Sequence, residues 1–220
     1  MTRRAACAAL ALWSVVAPVA AFCPYPTPKA CSRFFESDAV FVATVLSRGY
    51  VDDDEFIRFD VRVSRSLRGT VGDTAAVYTG NDSARLQWEV GKDYVVFARH
   101  EDGRLWSGND CGPLSDSERV QETIREIEAL SDVATSSIEG EIRSAPQGPG
   151  LAAVKVRIEG ESESYETETD SAGHFRINLP PGQYRVQPGP EYRQSDYSWY
   201  DLDDIKLTGG QCAQVQLVPR

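Results

Sequence analysis

The side chains that could perform acid–base or nucleophilic chemistry are few and scattered in this chain. Its two histidines, His100 and His174, each lie in or beside a turn that contains Asp and Gly, where surface hydrogen bonding is the expected role. No serine stands in a G-x-S-x-G elbow, and no H-E-x-x-H pair, P-loop or dinucleotide-binding glycine pattern occurs. Carboxylates are abundant, but no spacing marks two of them as a tuned pair. We therefore expect no enzyme, no bound metal and no cofactor.

Cysteine is the other residue with available chemistry. Cys7 lies in an apolar N-terminal segment, which leaves Cys23, Cys31, Cys111 and Cys212 in the rest of the chain. Four cysteines in an oxidising compartment allow three complete disulfide pairings. None belongs to a C-x-x-C pair, so a zinc site is not expected. These four residues are candidates for disulfide bonds.

The N-terminus has the three parts of a secretory signal. Arg3 and Arg4 precede the apolar stretch 5–16, and Val-Ala-Ala ending at Ala21 supplies a small-residue cleavage site. No later segment approaches the ~20 apolar residues that span a bilayer. We predict a signal peptide at 1–21 and an exported protein, either periplasmic or extracellular, without a membrane span.

The charge of the chain limits its partners. The net charge is −10, and cleavage after Ala21 removes two arginines and no acid. A surface this acidic repels phosphate backbones, so nucleic acid is not an expected partner.

The first half of the chain reads as strands followed by one helix. Residues 38–47 form an apolar run typical of a doubly buried strand, and 56–66 alternate strictly between apolar and polar residues. Three shorter strands follow. A helix is then predicted, capped by Ser115 with Glu118, with Val120, Ile124 and Ile127 on one apolar face. Five strands and a closing helix predict an OB-type barrel over 22–130.

Specific motifs in this half support that fold. C-x7-C, S-D-A-V-F-V-A-T-V, F-D-V-R-V-S-R-S-L-R-G, V-G-K-D-Y-V-V-F-A and D-G-R-L-W-S-G-N-D-C-G occur in this order. Together they resemble the N-terminal domain of tissue inhibitors of metalloproteinases and its bacterial relatives. The resemblance implies a disulfide from Cys23 or Cys31 to Cys111. It also implies a protease-facing arm, here Phe22, Cys23, Pro24 and Tyr25. In that family a leading cysteine chelates the protease's zinc, whereas here Phe22 precedes Cys23.

The second half is organised around two turns. Asp170 to Gly173 forms a tight turn, and Phe175, Ile177 and Leu179 then alternate along a strand before Pro-Pro-Gly. The stretch T-D-S-A-G-H-F-R-I-N-L-P-P-G-Q-Y-R-V resembles the signature of carboxypeptidase regulatory-like domains. That resemblance implies a seven-stranded, prealbumin-like β-sandwich over 137–220, joined to the barrel by a polar linker at 131–136.

One surface stands out as a possible ligand site. The segment 189–200 is predicted to be a long loop, and it carries four aromatic residues: Tyr192, Tyr197, Trp199 and Tyr200. Aromatic rings with polar tips suit carbohydrate faces and protein partners alike. The alternative is that they cap one end of the sandwich.

These features predict a non-enzymatic, exported binding or interaction protein. One alternative is a metalloprotease inhibitor that acts through the N-terminal arm. The other is a carbohydrate-binding module that uses the aromatic segment. The expected partner is accordingly a protein, such as a protease, or a carbohydrate.

Overall fold

The computed structural model describes residues 27–108, 113–130, 135–145, 148–189, 197–200 and 204–219. The predicted signal peptide, the arm residues 22–26, Cys111 and most of the predicted linker lie outside them. The chain is mainly β: a closed barrel comes first, and a two-sheet sandwich follows.

Five strands close the barrel in the order β1-β2-β3-β5-β4. Their bounds are β1 Ala39–Val51, β2 Phe56–Arg68, β3 Thr74–Gly80, β4 Asp93–Glu101 and β5 Arg104–Ser107. β1 pairs antiparallel with both β2 and β4, and β3 runs parallel to β5, which closes the ring. The predicted OB-type barrel is confirmed.

The barrel interior is filled as the alternation of β2 predicts. Ile57, Phe59 and Val61 are all buried in one apolar cluster. Trp88, from the connection between β3 and β4, lies 5.1 Å from the ring of Phe59 and stacks on Tyr94 at 5.1 Å. Offset aromatic contacts at this range add to the area they bury.

Two helices cover the outside of the barrel, α1 (Ala30–Glu36) and α2 (Val120–Leu130). The predicted apolar face of α2 is confirmed, because it is buried with Val95 of β4 in a second cluster. The predicted cap is wrong. The carboxylate of Asp116, not Ser115, accepts from the N–H of Glu118 at 2.8 Å and starts a 3-10 turn before the helix.

The sandwich consists of two four-stranded sheets with orders β12-β10-β7-β8 and β11-β13-β6-β9. The strand bounds are β6 Ser136–Ile142, β7 Lys155–Gly160, β8 Ser164–Glu168, β9 His174–Leu179, β10 Gly182–Pro188, β11 Tyr197–Tyr200, β12 Ile205–Leu207 and β13 Cys212–Pro219. The sandwich is confirmed with eight strands instead of seven. The extra strand is β11, so the prediction of a loop up to residue 200 is wrong for its last four residues.

The turn between β8 and β9 has the predicted chemistry. The carboxylate of Asp170 accepts from the N–H groups of Ala172 at 2.8 Å and His174 at 2.9 Å. Gly173 has φ +83°, and a Cβ there would lie 2.6 Å from Gly150 Cα, so only glycine fits.

Among the described helices, none is long and apolar enough to cross a bilayer.

Candidate functional site

The residues predicted to form binding surfaces are only partly described. The arm Phe22, Cys23, Pro24 and Tyr25 lies outside the described residues, as does Tyr192. Tyr197, Trp199 and Tyr200 belong to β11, where Trp199 is opposite Leu217 and Tyr200 is opposite Gln216 in the register. The role of this aromatic segment in binding stays a prediction.

The barrel and the sandwich are joined by a disulfide. Cys31 of α1 is bonded to Cys212 at the start of β13, with their Cα atoms 5.3 Å apart and a sequence separation of 181. This pairing excludes the Cys31–Cys111 bond that the inhibitor resemblance implied. Cys23 and Cys111 both lie outside the described residues, so a bond between them stays a prediction.

Hydrogen bonds extend this junction along β13. The Gln214 side chain is two residues beyond Cys212, on the same face of the strand. Its Oε1 accepts from the Lys29 N–H at 3.0 Å and from Ser32 Oγ at 2.9 Å, and its Nε2 donates to the Thr27 carbonyl at 2.9 Å. One amide thus satisfies three groups of the segment that leads into α1. We call the contact of residues 27–32 with β13 and β6 the seam.

An ion pair completes the seam on β6. Lys29 Nζ lies 2.6 Å from Glu139 Oε1, an ion-pair distance without hydrogen-bond geometry. The Glu139 side chain is 11% exposed, whereas that of Lys29 is 54% exposed. Burying a carboxylate costs free energy unless a cation lies close to it. Lys29 therefore compensates the negative charge of Glu139 on β6.

Beside the seam is an open concavity of about 630 Å³, and a second buried carboxylate lines it. Glu141 is 3% exposed, and its Oε1 lies 2.7 Å from Arg143 Nε and 3.7 Å from His174 Nε2. Its Oε2 has no hydrogen-bond partner. The rim carries Asp170. Its pKa is lowered by hydrogen bonds that its carboxylate accepts from the N–H groups of His174 and Ala172. Such a surface presents fixed charges and hydrogen-bonding groups, which suits binding.

A smaller cleft of about 200 Å³ lies on the barrel where the N-terminal segment arrives. Pro28 and Gly108 both line it, together with Trp88. On its charged rim Glu36 lies 3.7 Å from Arg33 and 3.6 Å from Arg99. The chain leading back to Cys23 and the chain leading on to Cys111 therefore start from the same cleft.

Within the described ranges, no group of three or more His, Cys, Asp or Glu side chains is placed to hold a metal ion. His174 belongs to the concavity described above. The His100 N–H donates to Asp38 Oδ2 at 2.8 Å, which ties β4 to the start of β1.

Sequence reasoning missed the residues of the seam. Glu139 and Glu141 alternate with Ile138, Gly140 and Ile142 along β6, and no role was predicted for either glutamate. Both are buried, with whole-residue exposures of 8% and 2%. Lys29, which pairs with Glu139, lies more than a hundred residues away in the chain, so no local pattern signals that contact.

The comparisons with known proteins concern mainly the sandwich. Residues 137–218 match the model of the carboxypeptidase regulatory-like domain. The matched residues fall within strands β6 to β13 of the sandwich. This match begins after the barrel, whose resemblance to tissue inhibitors of metalloproteinases stays a prediction. No curated protein matches the chain.

Solved structures resemble the chain only loosely. A DUF3823 family protein from Parabacteroides merdae ATCC 43184 is 20% identical, over 40% of this chain and 48% of that one, with a TM-score of 0.27. The Bacillus anthracis TIE protein is 14% identical, over 83% and 31%, with a TM-score of 0.29. The shaft pilin SpaA from Lactobacillus rhamnosus GG is 9% identical, over 84% and 88%, with a TM-score of 0.28. This chain thus spans less than half of the first two proteins.

Proposed function

We propose that this chain is an exported, non-enzymatic binding protein in which the barrel and the regulatory-like sandwich act as one covalently joined unit. The observation that carries the proposal is the Cys31–Cys212 disulfide, reinforced by the three hydrogen bonds of Gln214. Structural disulfides persist in oxidising compartments and are rare in the cytosol. The bond therefore supports export, in agreement with the signal peptide predicted at 1–21.

A binding role is supported by the family that the sandwich resembles and by the fixed surfaces of the two β-domains. The matched family is a regulatory-like one, and no enzyme family is indicated. A fold of this kind is a scaffold, so function depends on its surfaces. Here the seam holds the two domains together, and a surface that is already ordered loses less conformational entropy when a partner binds.

A second candidate is inhibition of a metalloprotease by the N-terminal arm. It is favoured by the strand order of the barrel and by the cleft from which the arm departs at Pro28. Phe22 ahead of Cys23 displaces the zinc-chelating position by one residue. Inhibition therefore depends on where the signal peptide is cleaved. Carbohydrate binding by Tyr192, Tyr197, Trp199 and Tyr200 remains the other alternative.

The test is to express the full chain in a Gram-negative host, fractionate the cells and crosslink the exported fraction. We expect an oxidised mature protein outside the cytoplasm that begins at Phe22 and is crosslinked to a discrete partner. A Cys31→Ser/Cys212→Ser variant is the matched control, and it should lose or weaken that species. A chain that keeps Met1 and reduced cysteines in the cytoplasm, or one that turns over a substrate from a hydrolase panel, would overturn the proposal.

The same preparation separates the alternatives. A mature chain that begins at Cys23 and inhibits a zinc metalloprotease supports the inhibitor. Co-sedimentation with insoluble chitin, cellulose or peptidoglycan supports the carbohydrate-binding module.

A further inference from the structure

Three large apolar side chains are exposed on the barrel. In the part of the chain that the structure describes, Leu46, Tyr50 and Val90 are the most exposed large hydrophobic residues, at 44%, 55% and 61%. Leu46 and Tyr50 lie on the last part of β1. The Val45 N–H donates to the Lys92 carbonyl at 3.0 Å, and the Val45 carbonyl accepts from the Gly91 N–H at 2.8 Å. These two hydrogen bonds bring the loop that carries Val90 beside this strand.

The same stretch of β1 has an open edge. β1 pairs with β4 from Ala39 to Thr44, and Val45 makes the last main-chain bonds on that side. From Leu46 to Val51 the strand pairs with β2 alone, and no described residue bonds to its other side. A register shift between Val45 and Ser47 marks the point where β1 separates from β4. Unpaired N–H and C=O groups along such an edge are a template for another strand.

The strand edges of the sandwich are protected by comparison. β12 has three residues and β11 has four, which leaves little backbone to pair. β8 carries Glu166 and Glu168 at exposed positions, and β9 carries Arg176. Short and charged edges are the usual means by which proteins discourage strand addition. The β1 edge carries one exposed charge, Arg48, whose guanidinium lies 5.8 Å from the centre of the Tyr50 ring. Beside it, Leu46 and Tyr50 are exposed.

The hairpin that presents this edge is held in place. Arg104 Nη1 donates to Asp52 Oδ2 at 2.6 Å, and Asn81 Nδ2 donates to the Asp54 carbonyl at 2.8 Å. The Glu55 N–H closes the tip by donating to the Asp52 carbonyl at 3.1 Å. An edge fixed before binding lowers the entropic cost of taking up a partner strand.

We propose that Leu46–Val51 of β1 accepts an extended segment of a basic partner protein as an added strand. The main chain of the edge would pair with the segment, while Leu46, Tyr50 and Val90 would contact its apolar residues. The adjacent tip carries Asp52, Asp53, Asp54 and Glu55, and the chain as a whole has a net charge of −10. This acidity favours a basic segment over a second copy of the same chain. The inference rests on the proposed binding function and assigns it a surface.

A displayed library of nine-residue peptides, with Lys or Arg fixed at one terminus, provides the probe. It is selected on the oxidised full mature chain, and hydrogen exchange is measured with and without the best peptide. We expect enriched peptides to alternate apolar residues and to slow amide exchange within 46–51. Leu46→Lys and Tyr50→Lys should each weaken binding at least about tenfold, because each removes apolar contact and places a cation opposite a basic peptide. Ser164→Lys, which places the same charge on the exposed β8 edge, should leave binding unchanged.

Four outcomes would overturn the inference. These are a selection without enrichment, protection of amides elsewhere, binding that survives Leu46→Lys, and a homodimer that protects 46–51 by itself. The proposed function fails separately, through cytoplasmic location or substrate turnover, and neither of those results alters peptide binding at this edge.

Discussion

Cys31 and Cys212 are 181 positions apart in the sequence, yet one disulfide joins them. The bond connects the first helix of the barrel to the last strand of the sandwich, and so encloses nearly all of the described chain. In the chain-entropy model, closing a loop of this length stabilises the folded state by up to about 5 kcal/mol, because it restricts the unfolded chain. The barrel and the sandwich are thus joined twice, once by the polypeptide chain and once by the disulfide.

Removing this bond should separate the unfolding of the two domains. We expect the Cys31→Ser/Cys212→Ser variant to unfold at a lower temperature than the oxidised wild type and in two calorimetric transitions. Each domain has its own apolar core, and in this variant the disulfide no longer holds the two domains together. The reduced wild type should show the same loss. A single transition at the wild-type temperature would show that the disulfide contributes nothing to coupling.

The Gln214 side chain should be the main non-covalent element of the seam. Gln214→Ala removes three hydrogen bonds at once and leaves the groups of Thr27, Lys29 and Ser32 without their partner. We expect a loss of about 1–3 kcal/mol in the free energy of unfolding, measured by urea titration, and faster proteolysis before α1. Gln183→Ala, at an exposed position on β10, is the matched control and should change little. Equal stability of the two variants would contradict this role.

The strands were predictable where one face of a strand meets a core. β2 alternates between apolar and polar residues because one side fills the barrel, and the Asp170–Gly173 turn is set by its own residues. Tyr197–Tyr200 gave no such signal. Its strand character comes from pairing with β13 and not from alternation.

The seam could not be predicted for a different reason. Four cysteines allow three pairings, and sequence spacing does not choose among them. Glu139 pairs with Lys29, which comes from the barrel end of the chain, so no pattern within β6 signals this contact. The turn before α2 shows a limit of local patterns: Ser115 and Asp116 are both good capping residues, and it is Asp116 that accepts from the Glu118 N–H.

Asp170 should make the β8–β9 turn sensitive to acid. Its pKa is lowered chiefly by the His174 N–H and then by the Ala172 N–H. The folded turn therefore favours the charged carboxylate. That stabilisation is present above the ordinary pKa of 3.8 and is lost as the pH falls through the lowered value. In an NMR titration, the amide signals of Ala172 and His174 should shift together below pH 3.8. Asp170→Asn should abolish this shared step, and its persistence in that variant would assign it to another group.

The last prediction concerns the cysteines that the structure leaves undescribed. With Cys31 bonded to Cys212, Cys23 and Cys111 are the two that remain after removal of the signal peptide. Pro28 and Gly108 line the same cleft, so the chain on the way to each cysteine starts from neighbouring points. We expect non-reducing peptide mapping to recover Cys23 linked to Cys111. This bond closes a loop of about 90 residues and stabilises the barrel by up to ~4–5 kcal/mol in the chain-entropy model.

Cys111→Ser should then lower the melting temperature of the barrel and leave that of the sandwich nearly unchanged. It should also open residues 22–26 to proteases, because Pro24 and Pro26 lack N–H groups with which to pair the arm to a strand. The Cys31→Ser/Cys212→Ser variant is the control, since it leaves this second bond intact and should keep the arm protected. If iodoacetamide labels both Cys23 and Cys111 in the native, unreduced chain, the bond does not exist. The inhibitor-like resemblance of the barrel would then lose the disulfide that anchors its arm.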